Sequence, residues 1–261
     1  MKLRNTRARA TFSRACALLR AVKVEQSNPD HFYSLLARDT RELIEAVLID
    51  AANQPLSRQR VLDVGGGPGY FAEEFEHAGA WYVGLEPSVG EMSAAGIALN
   101  NAVRGDGMAL PFADESFDVV YSSNVAEHVP QPWRMGEEML RVCTPGGMVV
   151  LSYTVWLGPF GGHETGLWQH YVGGHFARER YEKKHGRPPK NVFGESLFAL
   201  SCTAGLKWAH ESGAEIVGLF PRYHPWWAWW VVKIPLLREF LTSNLVIVLR
   251  KTETAHSRDV E

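Results

Sequence analysis

The sequence predicts an α/β domain in which a mostly parallel sheet carries helices on both faces. Three observations predict it. From residue 55 onward, short β-rich runs alternate with helix-length segments, and such alternation demands right-handed crossovers. Most of those runs are continuously apolar, as strands covered on both sides must be. A glycine-rich turn, Gly65-Gly66-Gly67-Pro68-Gly69, joins the first run to the first helix, and in open sheets ligands bind at that carboxyl edge.

Residues 1–54 read as a helical segment. Phe12, Ala15, Cys16, Leu19 and Val22 recur at helical spacing, with Arg14, Arg20 and Lys23 off that stripe. Asn28-Pro29-Asp30 is a cap followed by proline in a first turn. Leu43, Ile44, Val47 and Leu48 supply that second helix with an apolar stripe. Residues 55–153 form the main core. Its strands are expected at 61–64, 81–85, 117–123 and 148–153, and its helices at 70–78, around 91–99 and at 133–142. Residues 154–205 break the rhythm with Gly, His, Trp and charge, and read as a cap inserted over the sheet's carboxyl edge. A helix at 197–210 leads into residues 206–251, which complete the sheet. They supply strands at 214–220 and 245–249, and between them a helix at 226–241 kinked at Pro235. Residues 252–261 read as a frayed polar tail.

Composition removes several classes of function. At 46% hydrophobic and 21% charged, with a net charge of −2, the chain is neither fibrous nor wholly disordered, and it lacks the basic excess of a nucleic-acid binder. Cys16, Cys143 and Cys202 are too few and too scattered for a disulfide framework or a zinc cluster, and they suit a reducing, cytoplasmic setting. No apolar run reaches the roughly 18 residues that span a bilayer.

The first strand, Val61-Leu62-Asp63-Val64, ends in the glycine turn, where missing Cβ atoms let a ligand press on the backbone. Glu86, in Gly84-Leu85-Glu86-Pro87, ends the next strand 23 residues after Asp63. An acid there can accept both hydroxyls of a ribose. Gly67, Gly69 and Ala72 also satisfy a relaxed dinucleotide fingerprint, so a nicotinamide-dependent oxidoreductase is the rival enzyme. Asp63 would repel a pyrophosphate, however, and Pro68 removes an amide that would cradle one. A non-catalytic scaffold of the same fold is the third reading.

The set VLDVGGGPGY, GLEP, GDGMALPFADESFDVVYSSNVAEHV and LRVCTPGGMVVLSY closely resembles the class I S-adenosylmethionine-dependent methyltransferases, in the branch acting on small molecules, quinones and lipids. The whole chain also resembles mycobacterial and other actinobacterial members of that family. The resemblance implies a Rossmann-like seven-stranded sheet whose last two strands form a terminal pair, one of them antiparallel. It implies S-adenosylmethionine as cofactor. Gly65, Gly67 and Gly69 would line its methionine part, with Asp63 fixing the loop or the amino group. Glu86 would hold the ribose, and Asp106 the adenine amino group, helped by the backbone of Gly107 and Met108. Asn124 would lie beneath the sulfonium.

Methyl transfer to an alcohol needs the hydroxyl proton removed. His128 and His163 are the candidate bases, with His170 and His175 behind them. The spacing of His163, Glu164, His170 and His175 matches no compact ligand motif, so no metal is expected. Trp226, Trp227, Trp229 and Trp230 would share about 160° of an α-helix with Lys233 in the same sector. Together with an N-terminus holding seven Lys/Arg and no acid in 24 residues, they predict peripheral membrane contact and a lipid-like acceptor, bearing a hydroxyl.

Overall fold

In the computed structural model the described residues are 2–22, 28–93 and 101–252. Seven strands form one sheet: β1 Arg60–Val64, β2 Trp81–Glu86, β3 Ala102–Arg104, β4 Phe117–Ser123, β5 Cys143–Thr154, β6 Glu215–Pro221 and β7 Asn244–Arg250. Their order is β3-β2-β1-β4-β5-β7-β6. The first five are parallel, and β7 runs antiparallel between β5 and β6. The order reverses at β1 and β4, so their carboxyl ends flank the crevice where α/β sheets take ligands.

Alternation along the strands separates two apolar layers. Val61, Val119, Tyr121, Val150 and Val248 face helices α3 (Pro29–Ala52) and α4 (Tyr70–His77). Leu62, Val120, Val149, Leu151 and Leu249 face helices α6 (Pro132–Val142) and α9 (Cys202–Glu211). Asn28 caps α3 by accepting the His31 N–H at 3.2 Å, with Pro29 at its first position. Leu43, Ile44, Val47 and Leu48 are all buried, as their spacing predicts.

The N-terminal helices depart from the expected stripe. Along α1 (Arg4–Arg9), α2 (Phe12–Val22) and the turn between them, Thr6, Ala10, Ala15, Leu18 and Ala21 are buried, whereas Phe12 is exposed. The rotation has a cause. Arg14 and Arg222 converge on buried Asp39 at 2.5 and 3.0 Å, and Arg14 also donates to the Arg222 carbonyl at 3.0 Å. Arg9 pairs with Glu42 and Asp39, so part of the basic charge is neutralised internally, while Lys2, Arg4, Arg7 and Arg20 stay exposed. The Trp226 N–H donates to the Ala10 carbonyl at 2.8 Å, which ties this segment to the tryptophan-rich stretch.

That stretch is not an α-helix. Residues Trp226–Lys233 form a 3₁₀ helix, and a break at residues 234–236, with Leu236 at φ +68°, precedes α10 (Leu237–Leu241). Three residues per turn align Trp227, Trp230 and Lys233 on one exposed line. Trp229 instead stacks on Phe220 with ring centroids 4.3 Å apart. The single indole face expected at α-helical spacing is therefore three exposed indoles and one packed one.

Two other expectations shift. The cap is not all loop: α7 (Gln169–Val172) and α8 (Gly174–His185) lie within it. The helix expected at 197–210 starts only at Cys202, where Ser201 caps it by accepting the Ala204 N–H at 3.0 Å. Most of the helix expected around 91–99 lies outside the described residues. Its start is α5 (Val89–Ser93). The tail at 252–261 is described only at residue 252. Among the described residues no helix is long and apolar enough to cross a membrane.

Candidate functional site

The turn after β1 is held from beneath. The N–H groups of Gly65 and Gly66 both donate to the Leu85 carbonyl, at 2.8 and 3.1 Å, and the Gly67 N–H donates to Glu86 Oε2 at 3.3 Å. The glycines do different work. A Cβ on Gly65 (φ +87°) would lie 2.5 Å from Val125, so this glycine seats the loop after β4 rather than lining a ligand. A Cβ on Gly67 (φ +54°) would meet nothing within 4 Å. Gly69, at φ +95°, starts α4. A cavity of about 310 Å³ opens here, bounded by Gly66, Gly67, Gly69 and Tyr70 on one side and by Gly84, Glu86 and Met92 on the other.

Glu86 is half-buried, accepting from Gly67 through Oε2 and from Ser88 N–H through Oε1 at 3.1 Å. Burial raises its pKa above the ordinary value, against those two amides. Asp63 is placed differently. Two residues after Val61 it points to the same face, between the layers, and it is 2% exposed. Its Oδ2 accepts from the Tyr82 and Tyr121 hydroxyls at 2.8 and 2.7 Å. Burial pushes this carboxyl up to about 7, although both tyrosines favour its charge; Glu86 adds a smaller push in the same direction. Asp63 therefore holds the strands under the turn, its Oδ2 tied to both tyrosines.

Asp106 is exposed and bends back on its own turn, where Oδ1 accepts the Met108 N–H at 2.8 Å. The Met108 amide expected to help hold a base is thus occupied by Asp106 itself. A Cβ on Gly107 would press on Val64 and Met135 at 3.1 and 3.2 Å, so Gly107 lets this turn lie on the core. Asn124 follows β4 in the left-handed region (φ +59°), its Oδ1 accepting from Asn244 at 2.7 Å. Gly67, Gly69 and Glu86 share the cavity wall, whereas Asp106, Met108 and Asn124 are not among its lining residues.

Past Asn124, the chain packs Val125 against the turn and then presents Glu127 and His128 on a short 3₁₀ helix, Ala126–His128. The cap lowers a second short 3₁₀ helix, His163–Thr165, onto it, and the His128 and His163 rings meet edge to face with centroids 5.1 Å apart. His128 Nδ1 lies 2.7 Å from the Ser196 carbonyl. A carbonyl only accepts, so Nδ1 carries the proton and a neutral ring leaves its lone pair on Nε2. Burial lowers the His163 pKa. The other expected histidines lie apart: His170 faces the Gly158 carbonyl at 3.1 Å, and His175 meets Phe193 edge to face at 5.2 Å. Glu164 accepts from the backbone and side chain of Asn191, at 2.7 and 3.0 Å. Residue spacing alone does not reveal Glu127, whose carboxylate is 1% exposed and accepts the Thr154 N–H at 3.0 Å.

Residues 62–151 match the family model described as a methyltransferase domain. Over 245 residues the chain is 56% identical to an uncharacterized methyltransferase of Mycobacterium tuberculosis, covering 92% of this chain and 96% of that one. It is 57% identical over 249 residues to an uncharacterized methyltransferase of Mycobacteroides abscessus, covering 93% and 95%. In fold it is similar to an S-adenosylmethionine-dependent methyltransferase from Mesorhizobium loti, with a TM-score of 0.51 at 22% identity over 78% of this chain and 97% of that one.

Proposed function

The chain belongs to the class I S-adenosylmethionine-dependent methyltransferases, and from that premise we propose that its acceptor is an apolar, lipid-like molecule methylated on a hydroxyl oxygen. The observation that carries this reading is the number of large apolar side chains exposed on the cap and the tryptophan-rich stretch. Leu167, Trp168, Tyr171 and Val172 of the cap are exposed, as are Trp226, Trp227, Trp230, Leu236 and Phe240. The Tyr171 and Phe240 rings, 6.2 Å apart, join the two groups. So many exposed large apolar side chains mark a surface that meets something apolar. Lys233, Arg180 over the Trp168 ring at 5.3 Å, and the exposed N-terminal cations suit an anionic headgroup layer.

The residues present fit the cofactor: open space at Gly67 leaves bare backbone facing the same cavity as Glu86. When bound, S-adenosylmethionine supplies a methyl carbon activated by its sulfonium. In this reading Glu86 accepts the ribose hydroxyls through lone pairs not used by Gly67 and Ser88. Gly67 and Gly69 border the methionine part, with Asn124 beyond them, and Asp106 accepts from the adenine amino group. His128 and His163 help the acceptor's hydroxyl proton leave.

The test is incubation with methyl-labelled cofactor and a fractionated cell extract. Label should enter a chloroform-soluble product whose methyl ether survives mild alkali. Label confined to water-soluble products would overturn the lipid-like acceptor. Co-sedimentation with anionic vesicles should fall when Trp226, Trp227 and Trp230 are changed together to Ala; unchanged partition would remove the membrane contact.

A further inference from the structure

We propose that Glu127, His128 and His163 form a site for one divalent cation of the zinc class, held between the loop after β4 and the cap. The proposal rests on the methyltransferase reading and specifies how the two histidines act. Potential ligand atoms of the three side chains all lie within 4.8 Å of one another. Two imidazoles and one carboxylate suit zinc and leave a position open for an acceptor oxygen.

The atoms around the cluster are arranged as a metal site needs. Glu127 Oε1 is satisfied by the Thr154 N–H, but its Oε2 is buried without a hydrogen-bond partner. His163 Nε2 is also buried and unpartnered. Buried polar atoms are normally satisfied, so two orphans in one cluster call for a shared partner. His128 donates its Nδ1 proton to the Ser196 carbonyl, which leaves its Nε2 lone pair as the ligand. Ligating histidines commonly have such a backbone acceptor behind them, and ligating carboxylates such a donor. Tetrahedral zinc places its ligand atoms about 3.4 Å apart from bonds near 2.0–2.1 Å. The 4.8 Å limit of this set is wider than that spacing, so a bound cation would draw the ligand atoms together. A cation here would draw electron density from an acceptor oxygen and ease loss of its proton.

The experiment strips the full-length protein with chelator and titrates it with Zn²⁺ by calorimetry, then with S-adenosylmethionine. We expect one Zn²⁺ per chain. Affinity should fall by more than the ~10–100-fold typical of outer-shell changes in both Glu127→Gln and His163→Ala. Co²⁺ should give visible bands of a low-coordinate site in the wild type and lose them in both variants. Circular dichroism identifies any variant that fails to fold, and the other then decides. No stoichiometric uptake, or uptake indifferent to both substitutions, overturns the cation site. S-adenosylmethionine binding without cation uptake sinks this inference alone. Absence of S-adenosylmethionine binding sinks the reading beneath it.

Discussion

Asp63 makes the stability of this fold depend on pH in an unusual direction. The perturbation is Asp63→Asn, which keeps an oxygen to accept from Tyr82 and Tyr121 but cannot ionise. The folded carboxyl sits at about 7 against an ordinary 3.8, chiefly because it is buried. A carboxyl raised on folding stabilises the native state fully below its unfolded value, and that contribution disappears as pH rises through about 7. Each pH unit between the two values is worth about 1.4 kcal/mol. From pH 5 to pH 8 the loss is therefore about 2–3 kcal/mol, all of it in the wild type. The assay is urea unfolding of both proteins at pH 5, 6, 7 and 8. Groups common to both cancel in the difference. Wild-type stability minus that of Asp63→Asn should fall by about 2–3 kcal/mol across the series. A difference that stays flat, or rises, refutes the reasoning and means that the tyrosine hydroxyls keep Asp63 charged.

Glu86→Ala should weaken S-adenosylmethionine binding by about 1–3 kcal/mol, ~5- to 150-fold, since charged hydrogen bonds are lost; calorimetry reads it, and an unchanged affinity removes Glu86 from the site. Gly67→Arg should abolish cofactor binding at a stability cost of about 1–2 kcal/mol from its left-handed φ of +54°, its Cβ meeting nothing within 4 Å; saturable binding in that variant would count against the turn as the binding surface. Gly65→Ala should do the reverse, costing about 1–3 kcal/mol of stability through the clash with Val125, readable as a lowered Tm. His128→Ala should lower the methylation rate by about 10²–10⁴-fold at unchanged cofactor affinity; an undiminished rate excludes His128 from proton removal.

The core of the fold was legible because its physics is local. The strand at 117–123 and the capped helix after Asn28 lie where their patterns put them. Strand β3 was not foreseen, since three partly exposed residues carry no apolar signal. The tryptophan stretch differs from its expected phase because apolar spacing implies about 3.6 residues per turn, whereas this segment winds at about three. The site divides in the same way. Gly67 and Glu86 were legible because turn and strand end are adjacent in the sheet. Asp63 is expected to fix the loop or the ligand's amino group, and its parity with Val61 directs it between the layers beneath the turn. The cluster of Glu127, His128 and His163 was invisible to spacing rules because the cap brings His163 back over a gap of 35 residues.

The bond from Trp226 to Ala10, together with the shared grip of Arg14 and Arg222 on Asp39, makes the first helices and the indole-bearing strip one mechanical unit. Deleting the first twenty residues would therefore do more than remove positive charge. It would leave Arg222, 2% exposed, and Asp39 without their outer neighbour, and it would unfasten the strip at its leading end. A tag or fusion that strains the amino terminus should accordingly disturb tryptophan fluorescence at the opposite end of the chain.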